Sequence, residues 1–196
     1  MTQDFIIHPD YTYLIIQLLG IKMLLKNQIQ NLFLICIALL LLSSCSFKDE
    51  TISDKGKNIS VIKPSFWMEI DALNDDAVIQ IANPLAEAYF IVIAESKTDF
   101  PDGYSLDEYS ELTRGIIKNN TSNYSDSYDD SIVFINGMQA IRYNIDATVD
   151  DIVIRYWHIS VASKNNFYQL IPWSLPEKIE SNKENFLKVV KSFREI

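Results

Sequence analysis

The chain has 196 residues, of which 48% are hydrophobic and 12% aromatic, with a formal charge of −9. This composition excludes a disordered or collagen-like chain, and the length suits one globular unit. Tracking a nucleic-acid backbone takes clustered Lys and Arg, which an acidic chain does not supply, and the five glycines form neither GxGxxG nor GxxxxGK.

Residues 1–22 carry Asp4, Asp10 and a broken apolar run, and they fit no export signal. We read them as a mis-assigned upstream start, with Met23 as the working one; the other reading is an extension of two short apolar segments. From Met23-Leu24-Leu25-Lys26 the chain enters an uncharged core, residues 32–42. That core is short of the ~20 residues a membrane-spanning helix needs. A basic start, an apolar core and small residues at its end make residues 1–44 a secretory signal peptide, against the competing reading of an uncleaved anchor or buried helix. Leu42-Ser43-Ser44-Cys45 resembles the lipobox of bacterial lipoproteins. The resemblance implies cleavage between Ser44 and Cys45 and acylation of the Cys45 sulfur, a nucleophile once deprotonated. Cys36 lies inside the apolar core and reads as a small hydrophobe.

Residues 45–58 then read as a lipidated polar tether, and a globular domain occupies residues 59–196. Alternating apolar residues come in pairs around turn dipeptides. Strands at 77–82 and 87–97 flank Asn83-Pro84; strands at 131–135 and 138–146 flank Asn136-Gly137, a strong hairpin signal; strands at 151–162 and 167–171 flank Lys164-Asn165-Asn166. Two stretches switch to the helical period. Ser105 and Glu108 form a capping box before a stripe of Leu106, Tyr109, Leu112 and Ile116. Ser181 and Glu184 form another before Phe186, Val190 and Phe193, with Pro176 opening a turn just ahead. This is an α+β layout around an antiparallel sheet.

The order of elements, with Pro64-Ser65-Phe66-Trp67, Ile135-Asn136-Gly137, the strand Asn166-Phe167-Tyr168-Gln169-Leu170, Trp173 and a last helix ending Ser192-Phe193, resembles the PsbP/Mog superfamily and its DcrB-like bacterial lipoproteins. The resemblance covers residues 59–196. It implies an α/β/α sandwich, an antiparallel sheet covered by helices. Members of that superfamily include a photosystem II extrinsic subunit, a Ran-GTPase-binding factor and envelope lipoproteins, none characteristically an enzyme.

The inventory of chemistry is thin. After removal of residues 1–44 the chain keeps one histidine and one cysteine, His158 and Cys45, so disulfides and Cys/His zinc sites are excluded. His158 shares a strand face with Ile152, Ile154, Tyr156 and Ser160 and reads as a half-buried strand histidine; no GxSxG elbow accompanies Ser160. The doublets Asp75-Asp76, Asp129-Asp130 and Asp150-Asp151 fall where turns are expected. Residues 121–130 read as a solvated loop, and the spacing of Asp126, Asp129 and Asp130 does not match a calcium loop. Trp67, Trp157 and Trp173 read as core.

These residues lead to a lipid-anchored, noncatalytic envelope protein with no catalytic residues, metal or cofactor. It would face the periplasm from the outer membrane, bound to the membrane through its anchor, and it would not bind nucleic acid. An envelope protein partner would meet the acidic, tyrosine-bearing segment Tyr124, Asp126, Tyr128, Asp129 and Asp130. Changing its three aspartates to Asn is expected to leave folding nearly intact. The alternatives are an envelope hydrolase using carboxylates and a carrier of a small apolar ligand.

Overall fold

The computed structural model describes residues 48–196; the signal segment, Ser44 and Cys45 lie outside the described residues. Local turns set most of the sheet. β4 (Ala77–Asn83) and β5 (Ala88–Ser96) are joined by a 3-10 turn, Pro84–Ala86, in which Asn83 accepts from Ala86 N at 3.3 Å. β7 (Phe134–Ile135) and β8 (Met138–Val149) turn on Asn136 and Gly137, with φ of 47° and 85°. A type I′ turn needs positive φ at both places, which Gly adopts freely and Asn tolerates. β9 (Ile152–Ala162) follows through Asp150 and Asp151, also at positive φ, and β10 (Asn166–Ser174) follows through residues 163–165.

With β3 (Met68–Glu69) and β6 (Ser122–Asp129), these strands form one sheet in the order β3-β4-β5-β10-β9-β8-β6, and β7 pairs with β8. Every ladder is antiparallel. A smaller sheet has the order β1-β2-β11, from Glu50–Asp54, Ile59–Lys63 and Arg194–Glu195. Strand β1 lies inside the stretch read as a tether. Its composition is polar because only Ile52 faces the core, while Lys63 Nζ ties β2 back to Glu50 Oε2 at 2.9 Å.

The two helices cover opposite faces of the large sheet, giving the expected α/β/α arrangement. α2 (Ile179–Ser192) lays Phe186, Val189 and Val190 over Phe90, Val92, Trp157, Ile159 and Leu170. It begins two residues before the expected capping box. The 3-10 turn Pro176–Lys178 leads straight into it so that Ile179 is buried, and Ser181 Oγ instead donates to Lys178 O at 2.9 Å. α1 (Leu106–Asn120) does start at the predicted box, where Ser105 N donates to Glu108 Oε2 at 2.8 Å. Its buried face keeps Tyr109 of the predicted stripe and turns Leu112 and Ile116 outward. Tyr109, Ser110 and Thr113 face the sheet, whereas Leu112 is 45% and Ile116 53% exposed. Tyr109 sets this rotation by stacking on Phe167 of β10, centroids 4.5 Å apart, beside an edge contact with Phe100.

The stretch 131–135, expected as a full strand, keeps only β7 as strand. Among the described residues no helix is long and apolar enough to cross a membrane.

Candidate functional site

The segment 121–130, expected as a loop, is mostly strand β6. Ser, Asn and Asp are poor strand formers, so its sequence hides this. It is held by its ladder to β8, from Ser125 opposite Asp146 to Asp129 opposite Arg142, after an irregularity near Ser122. Among the described residues β6 ends the sheet, with a strand neighbour on one side only.

Strand alternation sends the predicted contact residues to different faces. Tyr124, Asp126 and Tyr128 lie on the α1 side. Asp126 pairs with Arg114 of α1 and accepts from Tyr124 Oη at 2.7 Å, and the Arg114 guanidinium sits 3.6 Å from the Tyr143 ring centroid. Partial burial opposes ionisation of Asp126, but bonds from Tyr124 and Arg114 outweigh it and hold the carboxyl below its ordinary range. Burial, aided by Asp126, pushes the Tyr124 phenol up to about 12. Tyr128 is 58% exposed and meets Tyr143 edge-on. Asp129 points to the opposite face, and Asp130 lies exposed just past the strand end.

On that opposite face, between β6, β8 and β9 and the first turn of α2, lies a polar groove of about 580 Å³. Ser127, Asp129, Arg142, Asn144, Asp146 and Arg155 line it, with Lys183 of α2 at its rim. Arg142 is buried, its guanidinium 3.9 Å from the Trp157 ring centroid. It donates to Ser131 Oγ at 2.8 Å and Asn144 Oδ1 at 2.9 Å, and faces Asp129 Oδ2 at 3.3 Å. Arg155 grips Asp146 with two bonds of 2.6 Å. Burial disfavours charge on Asp129, yet bonds from Ser131 and Asn144 and the charge of Arg142 keep its carboxyl low. Carboxylates held ionised in this way are poor general acids.

His158 is fully buried on the α1 face, deeper than expected, because α1 crosses over β9 at that point. Burial pushes its pKa down to about 4. Its Nε2 lies 3.4 Å from Gln169 Oε1; Gln169 Nε2 in turn donates to Glu95 Oε2 at 3.4 Å, and Tyr109 Oη donates to the same oxygen at 2.5 Å. Glu95 and Gln169 escaped sequence reading as site residues, because strand periodicity accounts for both without giving either a chemical role. Trp67 and Trp157 are core, as expected; Trp173 is part-exposed and stacks on Tyr89 at 5.3 Å. Among the described residues no group of His, Cys, Asp and Glu is placed to hold a metal ion.

No protein-family model matches the chain, and no curated protein matches it. Solved structures do resemble it. Cyanobacterial PsbP (CyanoP) from Synechocystis sp. PCC 6803 superposes with a TM-score of 0.56 at 12% identity, covering 79% of this chain and 96% of that one. LpqN of Mycobacterium tuberculosis, described as involved in cell envelope biogenesis, gives 0.54 at 14% identity over 74% and 89%. The Ran-binding protein Mog1p of Saccharomyces cerevisiae gives 0.50 at 12% identity over 76% and 96%. At these identities the likeness establishes the fold: a PsbP/Mog-like α+β domain.

Proposed function

We propose that the chain is a lipid-anchored, noncatalytic accessory module of the cell envelope that binds another protein through the β6 end of its sheet. The observation that carries this reading is the position of β6 as an edge strand. Among the described residues no strand pairs with its outer side, which presents the exposed Tyr128 ring and the exposed Asp130. Edge strands with free backbone groups are templates for partner recognition. Tyr124, Asp126 and Asp129 shape that strand from within, through the pairs with Arg114 and Arg142. The acidic end would steer a basic partner, with binding that weakens as salt rises. Two fold neighbours, a Ran-binding protein and a protein of envelope biogenesis, are compatible with a binding role.

Cys45, following cleavage after Ser44, is the attachment point in this reading. Two or more acyl chains hold a protein stably on a membrane where one does not. The domain then faces the periplasm, on the outer membrane. Metabolic labelling with palmitate tests the anchor: the wild type should take up label and Cys45→Ser should not. A photo-crosslinking residue at position 128 tests the surface in native membranes. It should give one discrete adduct with an envelope protein, where the same residue at the fully exposed Leu85 of the β4–β5 turn gives none. Equal adducts at both positions, or a hydrolytic activity abolished by one carboxylate substitution, would overturn the reading.

A further inference from the structure

The α1 face of the sheet carries a second groove, of about 440 Å³, away from β6. Its walls are apolar: Ile91 and Ile93 of β5, Ile171 of β10, and Ile116 and Ile117 of α1. The volume falls within the roughly 300–1,000 Å³ of small-molecule clefts. The rotation of α1 creates it, since Ile116 sits at the lip of the groove instead of in the core.

At one end of this apolar wall stands a single prepared polar group. Glu95 Oε2 receives both Tyr109 Oη and Gln169 Nε2, and Gln169 is itself held from behind by His158. The other oxygen, Glu95 Oε1, has no hydrogen-bond partner among the described residues. A carboxylate fixed through one oxygen and open at the other is preorganised to accept from a ligand, which lowers the entropic cost of binding. Asp76 is the other acid lining the groove, and among the described residues no Lys or Arg lines it. Lys97, two residues past Glu95, is engaged elsewhere: its ammonium donates to Ser163 O at 2.7 Å and lies 4.7 Å from the Phe167 ring centroid.

We propose that this groove is a binding site for a linear aliphatic amine, with the hydrocarbon chain along the isoleucines and the ammonium on Glu95. The charge of the lining selects a cation over an anion, and the isoleucines select an alkyl chain over a polar ligand. The proposal is independent of the β6 surface, which lies at the far end of the strand order.

The test titrates the purified full chain with n-octylamine, using octanoate and octan-1-ol as matched controls, and follows isoleucine δ1-methyl NMR signals. Octylamine should shift Ile91, Ile93, Ile116, Ile117 and Ile171 and bind at least tenfold more tightly than octanoate. Shortening the amine by one methylene should weaken binding about fourfold while the chain remains buried. Glu95→Gln should remove the preference for the amine. Because that change touches the buried network, Ile116→Lys serves as a second variant on an exposed helix position, and it should weaken octylamine at least tenfold. Equal binding of octanoate and octylamine, shifts confined to other isoleucines, or unaltered octylamine binding by folded Ile116→Lys would overturn the proposal.

Discussion

His158 on β9 and Gln169 on β10 face each other across the sheet with Nε2 and Oε1 3.4 Å apart. An amide oxygen only accepts, so the imidazole is the Nε2–H tautomer and its Nδ1 is a buried acceptor without a partner among the described residues. The fixed amide can then present its Nε2 to Glu95. One buried histidine thus sets the orientation of a carboxylate two strands away.

This pair makes stability depend on pH. Burial lowers the His158 pKa from 6.5 to about 4, so the unfolded chain takes up a proton first as pH falls. Stability is therefore full above pH 6.5 and declines as pH drops from 6.5 towards 4. At about 1.4 kcal/mol per pKa unit the loss reaches roughly 3 kcal/mol. Asp126 and Asp129 have lowered pKa values, and their contribution is lost only at still lower pH. Urea denaturation at pH 7.5, 5.5 and 4.5 should show the decline, and His158→Gln should flatten it.

Asp126 and Asp129 of β6 and Asp130 just past it are not equivalent, contrary to the expectation that all three could be changed without harm to folding. Asp129→Asn leaves the buried Arg142 guanidinium without its counter-charge. Breaking a fully buried pair costs about 3–5 kcal/mol; because Asp129 still reaches water, about 2 kcal/mol is expected here. Asp130→Asn should stay within about 0.5 kcal/mol, as exposed positions do. Chemical denaturation of the two single variants checks the contrast.

Phe186 anchors α2 through edge contacts with Trp67, in the β2–β3 connection, and Trp157 of β9, centroids 6.0 and 5.5 Å apart. Phe186→Ala should cost about 3–5 kcal/mol, by lost burial plus the cavity left behind. Intrinsic tryptophan fluorescence should report the change as well, since both indoles lose the same neighbour.

Gly137 has open space around it, so its constraint is conformational: φ is 85°. Gly137→Ala should destabilise by about 1–2 kcal/mol. The hairpin it closes is tied to the end of α2, where Asn136 Nδ2 donates to Phe193 O at 2.7 Å. Hydrogen exchange should accelerate at both places.

What the sequence determined by itself is whatever local chemistry decides. Asn136-Gly137 dictates a turn through its backbone conformation, and Ser105 with Glu108 caps a helix wherever that helix packs. Alternation over β4, β5, β9 and β10 implies strands because both faces of these strands are specified by side chains. The PsbP/Mog-like fold followed from those elements in order. Tertiary structure alone decided the rest. β1 and β6 are too polar to read as strands, and they exist because backbone partners hold them: β2, just across a short turn, for β1, and β8, farther along the chain, for β6. The rotation of α1 was decided by Tyr109 finding Phe167, a contact that outweighed the more apolar stripe through Leu112 and Ile116. That choice exposed an isoleucine wall and brought Tyr109 to Glu95. Side chains from β5, α1 and β10 converge there only after the sheet has placed three remote segments side by side.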